Sequence, residues 1–411
     1  MTYFINLSRE EENVMKSIFI LGASRLQIPA IKMAKKKGFF VYVLDYDPDA
    51  VGIKYADAFL EISTIDKEAV YQAAVEYKPD YIITSTSDMP VRTVSWVNEK
   101  LGKPTDISYE GAICATDKVA MRKRMKECGV PIPVYHEVTS LKDFFEVITK
   151  MPDIFILKPA DNAASRGVVM IDKKENPDLE NIYNYTVRYS RSGKVLVEEF
   201  MEGPEVSVES YTINGEPHII TITDKLVTKP PFFVELGHTE PSRLTFEQQN
   251  DIKKVAIAAI KAIGMKDGPN HTEIKITPSG AKLVEIAARL GGDFITSKLV
   301  PLSTGIDMIE CSFATLIGEK VKCKQTIYQG SAIRFIQAKK GKLISVDGVD
   351  RALEMPGVKE VEIYMKPGDF IKQPENSSDR IGHIIAVGRT ANEAADNAAR
   401  AIKLINISYS V

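Results

Sequence analysis

The chain has 411 residues, of which 44% are hydrophobic and 26% are charged, and its formal net charge is -2. This length exceeds one ordinary core, so we expect two to four packed units of about 100 to 200 residues each. A near-neutral charge excludes the broad attraction that supports nucleic-acid binding, and no apolar run approaches the roughly 20 residues of a membrane span. We therefore expect small-molecule chemistry, with neither nucleic acid nor a membrane as a partner.

The four cysteines show no close spacing of the kind that binds a metal ion; they are Cys114, Cys128, Cys311 and Cys323. The residues near Met1 also lack the basic-then-apolar layout of a secretory signal. We interpret the cysteines as reduced thiols of a cytoplasmic protein.

The first 115 residues alternate short apolar strands with helical stretches. Strands are expected at Ile18 to Gly22, Phe39 to Asp45 and Tyr81 to Thr84, and helices from about Gln27 to Lys37 and Lys67 to Tyr77. This βαβ rhythm predicts a parallel sheet with ligand-facing loops at the carboxyl ends of its strands. A nicotinamide-dinucleotide fold has the same rhythm, but the turn from Gly22 to Gln27 lacks the second and third glycines of that fingerprint.

The next predicted helix begins at a Thr116-Asp117 cap and ends at Cys128-Gly129, which marks a domain boundary nearby. Beyond it strands dominate, and Asn214-Gly215 predicts a hairpin turn between two of them. These strands are expected at Ile154 to Leu157, Val168 to Ile171, Val195 to Glu198, Glu205 to Ile213 and Pro217 to Thr223.

Two capping boxes open helices later in the chain. Thr245 to Gln248 begins a helix with one apolar face that Gly264 ends, and Thr390 to Glu393 begins an alanine-rich terminal helix. Between them, strands are expected around Ala332 to Ile336, Val361 to Met365 and His383 to Val387. The chain after about residue 319 is therefore a mixed α+β segment.

Two alternating segments, His271 to Ile276 and Lys282 to Ile286, predict a hairpin. Proline first and glycine third in the intervening loop indicate a three-residue loop, with a type I turn followed by a left-handed residue. That loop makes Thr277 face Ala281 and brings Glu273 opposite Glu285. Alternation places the apolar side chains on the other face, namely Ile274, Ile276, Val284 and Ile286.

Two carboxylates that face each other across a hairpin repel unless a cation or a shared proton lies between them. A divalent metal ion resolves this conflict, and hard oxygen ligands favour magnesium over zinc. A solvated hairpin whose glutamates are neutralised by Lys275 and Lys282 explains the same pattern. The residue pattern leaves both interpretations open.

The order of several motifs resembles that of the ATP-grasp superfamily, and of its carboxylate-amine ligases in particular. Residues 20–30, ILGASRLQIPA, and 43–48, VLDYDP, are similar to the α/β domain of carbamoyl-phosphate synthetase halves, biotin carboxylase and purine-pathway ligases. Residues 116–122, TDKVAMR, resemble the start of the nucleotide domain. The resemblance spans nearly the whole chain.

The resemblance implies an α/β protein, α+β overall, in three parts. A parallel α/β domain at residues 1–115 precedes a two-part ATP-grasp nucleotide domain with antiparallel sheets at 116–318, whose lid lies at about 130–200. A C-terminal α+β domain follows at 319–411. The resemblance also allows a homodimer.

The resemblance also implies which residues bind ATP. Residues 161–168, DNAASRGV, resemble a loop that covers the phosphates, and residues 195–201, VLVEEFM, resemble the hinge whose backbone contacts adenine, followed by an acid that holds the ribose hydroxyls. The implied ATP-binding residues are Lys118, Lys158, Ser165, Arg166, Gly167, Glu198, Glu199, Met201 and Glu205. As a purely structural residue, Lys118 would be a surface lysine.

Residues 283–292, LVEIAARLGG, are the most specific match and resemble the metal-and-arginine strand of the superfamily. The match implies that Glu273 and Glu285 bind Mg²⁺, with Mn²⁺ as the alternative ion. Relatives usually carry asparagine where this chain has Ala287, which leaves a second metal site open. The implied catalytic residues are Lys158 and Arg289, and the implied substrate residues are His271, Arg289, Gly291 and Gly292. As a structural residue, Arg289 would pair with an acid such as Asp293.

The implied reaction is ATP-dependent ligation of a small carboxylate to an amine. The carboxylate would attack the γ-phosphoryl group, and the amine would displace phosphate from the acylphosphate, with release of ADP and phosphate. Both amino-acid ligases and phosphoribosylglycinamide synthetase-like proteins share this motif ending, so the substrates stay open. Two other classes stay open as well: an NAD(P)-dependent oxidoreductase and a nucleotide-binding regulator without turnover.

Overall fold

The computed structural model describes residues 15–162, 166–228, 234–372 and 379–410. The described chain forms one parallel sheet and three sheets in which neighbouring strands are antiparallel. No single helix in these ranges has the length and apolar composition of a membrane span; only a bent pair, Ile295–Thr304 with Met308–Leu316 at 108°, meets both criteria when taken together.

The parallel sheet is built from the first hundred residues. Its strands are β1 (Ser17–Leu21), β2 (Phe40–Asp45), β3 (Ala58–Glu61) and β4 (Tyr81–Thr84), and its helices are α1 (Ile28–Lys36), α2 (Lys67–Tyr77) and α3 (Met89–Lys100). The strand order is β3-β2-β1-β4, with every pair parallel. The predicted βαβ arrangement is confirmed, and β3 and α3 are additional elements. Apolar side chains such as Phe19, Leu44 and Val70 are buried between the sheet and its helices.

The side chain of Gln27 fills the turn at the carboxyl edge of this sheet. Gly22 has a φ of 106°, and a Cβ there would lie 3.3 Å from Cδ of Gln27. The Gln27 amide donates to Thr86 Oγ1 at 2.8 Å and to Ser87 Oγ at 3.0 Å. A pyrophosphate bound at this turn would have to displace Gln27, which weighs against a dinucleotide site.

A smaller antiparallel sheet, here called the lid sheet, follows α4 (Tyr109–Cys114) and α5 (Lys118–Glu127). Asp117 caps α5 by accepting from the amides of Val119 and Ala120 at 2.9 and 3.0 Å. The lid sheet has the order β5-β8-β6-β7, and helices α6 and α7 pack on it around Phe144, Phe155 and Tyr183. Its elements are β5 (Tyr135–Val138), α6 (Leu141–Ile148), β6 (Ile154–Pro159), β7 (Val169–Asp172), α7 (Leu179–Val187) and β8 (Val195–Glu199).

The rest of the chain builds a large antiparallel sheet and a small one. The strands are β9 (Glu205–Ile213), β10 (Glu216–Val227), β11 (Glu235–Glu240), β12 (Gly268–Thr277), β13 (Gly280–Ala287), β14 (Gly330–Ile336), β15 (Gly341–Asp347), β16 (Val358–Ile363), β17 (Phe370–Ile371), β18 (Gly382–Gly388) and β19 (Asn406–Ser410). The helices are α8 (Phe246–Ala262), α9 (Val300–Thr304), α10 (Met308–Leu316), α11 (Val349–Leu353) and α12 (Ala391–Ile402), and a π-helical turn covers Ile295–Leu299.

The large sheet has the order β13-β12-β9-β10-β11-β14-β18-β16, so β11 pairs directly with β14. One continuous sheet therefore crosses the expected boundary at residue 318. Helix α8 packs on β12 and β13, and α12 packs on β14 and β18. The predicted hairpin at Asn214-Gly215 is confirmed: both residues have positive φ, 51° and 79°, and Ile213 pairs with Glu216.

The carboxylate hairpin β12–β13 has the predicted pair but not the predicted loop. Thr277 pairs with Gly280, so the loop has two residues and the expected pairing of Thr277 with Ala281 is wrong. A β-bulge then shifts the register by one residue, and Glu273 still faces Glu285. The shorter loop and the bulge offset each other, so the predicted pairing of Glu273 with Glu285 is retained.

The bulge also changes which residue of β13 points into the core. Leu283 and Ile286 are fully buried with Ile274, whereas Val284 lines the cleft described below. The expectation that Val284 lies on the core face is therefore wrong. The extra residue of the bulge interrupts the alternation of inward and outward side chains along its strand. The sequence pattern does not reveal this interruption.

Candidate active site

A cleft of about 600 Å³ lies between the lid sheet and the face of the large sheet that carries Glu273 and Glu285. Leu26, Thr86 and Asp88 from the edge of the parallel sheet complete its wall. Most of the residues expected to form the site line this cleft: Lys118, Lys158, Arg166, Glu198, Glu199, Met201, Glu205, His271, Glu273, Glu285, Arg289 and Gly292. Their roles toward ligands stay predictions.

Three expected residues stand apart from this group. Ser165 falls in 163–165, outside the described residues. Gly167 has a φ of 76°, and a Cβ there would lie 2.8 Å from Cβ of Tyr189, so glycine is needed for this tight turn. A Cβ on Gly291 would lie 2.7 Å from the Glu209 carboxylate, so its missing side chain gives room to a buried acid and not to the cleft.

The opposed glutamates each have a lysine partner from another element. Lys118 Nζ lies 2.8 Å from Glu285 Oε1, and Lys225 Nζ lies 2.9 Å from Glu273 Oε1. Lys275 and Lys282, the partners of the solvated-hairpin interpretation, instead contact the carbonyl of Met201 and the Glu199 carboxylate. Side-chain exposures of 24% and 30% place both glutamates half-buried in the cleft, not on a solvated surface.

Lys118 is buried, with 7% exposure, so the surface-lysine interpretation is wrong. The Asp117 cap sets the start of α5 and thereby directs Lys118 into the cleft, where its Nζ also donates to the carbonyl of Asn162 at 2.6 Å. Burial lowers the pKa of Lys118, but Glu285 outweighs burial and raises that pKa above its usual value. The residue is a fixed cation beside the carboxylate pair.

Lys225 is a central residue of the cleft that the sequence pattern does not single out. Its Nζ lies 2.6 Å from Glu205, 2.9 Å from Glu273 and 3.9 Å from Glu235. Burial lowers the pKa of Lys225, but these carboxylates outweigh burial and raise it well above its usual value. The feature that could have identified Lys225 is the length of β10, which continues to Val227, whereas the expected end of the strand is Thr223.

Lys158, at the end of β6, belongs to a buried ionic cluster. Glu198 accepts from Arg122 Nε at 2.7 Å and lies 2.7 Å from Lys158 Nζ, and all three residues are buried. Burial lowers the pKa of Lys158 to about 8, against the attraction of Glu198. Burial raises the pKa of Glu198, but Arg122 and Lys158 outweigh burial and lower it to about 2.

The hinge segment is anchored on both sides. The Glu199 amide donates to the carbonyl of Val134 at 2.9 Å, and the Glu199 carboxylate accepts from Lys282 at 2.7 Å. The carbonyl of Met201, two residues later, accepts from Lys275 at 3.1 Å. Adenine contact at this segment stays a prediction, and the Glu198 side chain is occupied by its ionic partners.

Arg289 is held by the parallel-sheet region. Its Nε donates to Asp88 Oδ1 at 2.7 Å and its Nη1 to the carbonyl of Leu290 at 2.9 Å. Asp88 precedes α3 but does not cap it, since its side chain makes no cap hydrogen bond. The expected salt bridge between Arg289 and a nearby acid is therefore present, but the acid is Asp88 and not Asp293, which binds Arg380 and lies 3.2 Å from His238 Nε2.

His271 lies between two carboxylates. Its Nδ1 is 2.6 Å from Glu209 Oε1, and its Nε2 is 3.5 Å from Glu273 Oε1. Burial lowers the pKa of His271, but the fully buried Glu209 outweighs burial and raises it to about 9. An imidazolium therefore faces the cleft beside the carboxylate pair at neutral pH.

The donor set fits magnesium. Two glutamates with hard oxygen ligands lie opposite each other on adjacent strands, and the positive charge that now balances them comes from lysines with long, adjustable side chains. Ala287 also lines the cleft and offers only a methyl group, so no second ion can gain a side-chain ligand there.

Two protein families and several individual proteins match this chain. The family described as ATP-grasp domain matches residues 151–297, and the family described as L-amino acid ligase C-terminal domain 2 matches residues 334–410. The uncharacterized protein y4rH of Sinorhizobium fredii is 32% identical over 98% of this chain and 85% of that protein. The alanine–anticapsin ligase of Bacillus subtilis is 27% identical over 70% of this chain and 66% of that protein.

Solved structures show the same fold. The crystal structure of an L-amino acid ligase from Bacillus licheniformis has a TM-score of 0.82 and 22% identity, covering 96% of this chain and 99% of that one. Phosphoribosylglycinamide synthetase from Anaerococcus prevotii has a TM-score of 0.76 and 21% identity, covering 96% and 100%.

Proposed function

The chain belongs to the ATP-grasp superfamily in its carboxylate-amine ligase branch, and from that premise we propose that it activates an amino-acid carboxylate with ATP and joins it to the amine of a second amino acid. The observation that carries this proposal is the opposed pair Glu273 and Glu285, set among three buried lysines. The pair supplies a magnesium site, and the lysines supply charge for phosphates.

Lys118, Lys158 and Lys225 are the proposed phosphate-binding residues. The side chain of each is at least nine-tenths buried and lies against a carboxylate, so its positive charge is held inside the cleft before a polyphosphate binds. Lys118 and Lys225 contact the two proposed metal ligands, Glu285 and Glu273. A metal ion bound to these glutamates would neutralise their charge in place of the lysines. The lysines would then be able to turn toward the phosphate oxygens.

Glu273 and Glu285 are the proposed magnesium ligands. Bound magnesium supplies positive charge that stabilises negative charge on the transferred phosphoryl group. Burial raises the pKa of Glu273, but Lys225 and His271 outweigh burial and lower it well below its usual value, so the residue is an anionic ligand.

The proposed chemistry has two steps. A carboxylate oxygen of the first substrate attacks the γ-phosphorus of ATP, and the bond between that phosphorus and the oxygen bridging to the β-phosphate breaks. ADP is released, and the substrate becomes an acylphosphate. The amine of the second substrate then attacks the acyl carbon, and phosphate leaves as the amine loses a proton. Arg289, fixed by Asp88, would stabilise the oxyanion of the second step with its remaining N–H groups.

The choice of amino acids as substrates rests on the C-terminal match. Residues 334–410 match a domain described for L-amino acid ligases, and the relatives named above include alanine–anticapsin ligase. The lining of the cleft carries charges for both ends of an amino acid, since it includes the cations of Arg289 and His271 and the carboxylates of Asp88 and Asp293. A purine-pathway substrate, phosphoribosylamine, is the alternative that the experiment distinguishes.

The test is ADP formation with magnesium-ATP, screened over pairs of amino acids and over phosphoribosylamine with glycine. Activity with an amino-acid pair is expected, and mass spectrometry should detect the dipeptide. Activity only with phosphoribosylamine would assign the chain to the purine-type reaction, and no carboxylate-dependent ADP release at all would contradict a ligase.

Glu285→Gln should lower ADP formation by about 10²-fold or more, because a neutral amide replaces an anionic metal ligand. The matched control is Glu247→Gln, since Glu247 is exposed in the first turn of α8 and should leave the rate unchanged. An unchanged rate in Glu285→Gln would show that the metal assignment is wrong.

A further inference from the structure

Two cysteines lie against each other in a part of the chain that the ligase reaction does not use. Cys311, in α10, and Cys323, in the segment that leads to β14, have their Sγ atoms 3.5 Å apart. We propose that Cys311 and Cys323 are a redox-sensitive pair, which a peroxide converts reversibly into an intrachain disulfide. Both are free thiols in the structure.

The surroundings divide the two thiols into an attacking and a resolving group. Cys323 is half-buried in a segment whose neighbouring residues Lys322 and Lys324 are exposed, so a small oxidant can reach its sulfur more readily than that of Cys311. Cys311 is 3% exposed and packs in the main apolar cluster, where a thiolate is disfavoured. The hydrogen bond between them lowers the pKa of Cys323, and this bond together with burial raises that of Cys311.

The reaction balances with hydrogen peroxide as the oxidant. The Cys323 thiolate attacks one peroxide oxygen, the O–O bond breaks, and the products are a sulfenic acid and hydroxide, which takes up a proton to become water. The Cys311 sulfur then attacks the sulfenic sulfur and the S–S bond forms. The sulfenic oxygen leaves with the Cys311 proton as a second water. Two thiols are oxidised and one peroxide is reduced.

The segment that follows Cys323 is held in place beside the pair. The amides of Thr326 and Ile327 donate to the carbonyl of Thr304 at 2.8 and 3.0 Å, which holds the segment after Cys323 against α9. The sulfurs need to approach only from 3.5 Å to about 2.05 Å, the length of a disulfide. The bond would close a loop over residues 312–322, and loop closure stabilises the folded state by restricting the unfolded one.

The experiment treats the full-length chain with hydrogen peroxide and measures intact mass, peptide mass and thermal unfolding. We expect the loss of two hydrogens, a peptide that joins Cys311 to Cys323, and a midpoint of unfolding raised by a few degrees. Dithiothreitol should reverse all three. Cys323→Ser should abolish the linked peptide and the shift, whereas Cys128→Ser should leave both intact because Cys128 is exposed elsewhere.

Two outcomes would overturn the proposal. One is oxidation at Cys128 or Cys114 while Cys311 and Cys323 stay free under the same treatment. The other is a loss of two hydrogens and a thermal shift in Cys323→Ser equal to those of the unsubstituted chain. Cys323 is chosen for substitution because it is half-buried, whereas serine at Cys311 would place a hydroxyl in the apolar cluster.

Discussion

The two ends of the cleft pair their charges in different ways. Toward the lid sheet, two cations, Arg122 and Lys158, share the single carboxylate of Glu198. Toward the large sheet, Lys225 faces three carboxylates, those of Glu205, Glu235 and Glu273, with Lys275 3.9 Å from Glu205 and His271 3.5 Å from Glu273. The first end has one more cation than carboxylates and favours an anion, whereas the second has three of each and presents carboxylates to the cleft.

The buried ion pairs at the two ends of the cleft have different roles. At the cationic end, every group is buried, and the pairing of Glu198 joins α5 to two strands of the lid sheet. At the end toward the large sheet, the carboxylates of Glu205, Glu235 and Glu273 keep 14% to 24% exposure and remain open to a ligand. We expect the first cluster to contribute more to stability and the second more to catalysis.

Removing Glu198 should have the largest effect. Glu198→Ala leaves Arg122 and Lys158 buried without their carboxylate, and breaking a buried ion pair costs about 3–5 kcal/mol of stability. Urea unfolding should show this loss in the free energy of unfolding. Glu202→Ala, at an exposed position, is the control and should change it by less than about 0.5 kcal/mol. Equal stabilities would mean that the cluster does not hold the lid sheet.

Removing Lys225 should affect catalysis more than stability. Lys225→Met keeps the volume of the side chain but removes a cation aimed at the phosphates, so ADP formation should fall by about 10²-fold. Lys261→Met removes a lysine of a surface ion pair, half-exposed at 50%, and should leave the rate unchanged. A near-normal rate in Lys225→Met would confine this lysine to a structural role.

The pH dependence of ATP binding should show the smallest effect. Because the pKa of Lys158 is lowered to about 8, the lysine is a cation below pH 8 and becomes neutral as the pH rises through that value. The KM for ATP should therefore rise above pH 8, by up to about tenfold for one pH unit. Lys158→Arg keeps its charge in this range and should flatten the rise. A rise that persists in Lys158→Arg would assign it to another group.

The sequence predicts well what depends on local patterns. Alternating strands and helices identify the parallel sheet, and the pair Glu273 and Glu285 follows from a hairpin motif. The loop length is wrong by one residue, because proline and glycine near a turn fit two loops equally. The bulge that restores the pair leaves no mark in the sequence, since it is set by packing of the sheet.

Partners from distant parts of the chain are what the sequence does not reveal. Lys225 is separated by 48 residues from Glu273, and Asp88 by 201 residues from Arg289. Charged side chains are common on strands and helix ends, so no local pattern distinguishes these from solvated ones. Only the folded arrangement shows that Asp88 holds Arg289 and leaves Asp293 to Arg380.

The direct pairing of β11 with β14 limits how such a chain can be divided or recombined. Cutting near residue 318 would convert two interior strands into open edges, each with unpaired backbone groups ready to bind another chain. The floor of the cleft and the C-terminal region therefore form one structural unit. Exchange between relatives should succeed at the lid, whose strands form a separate sheet, and not at that boundary.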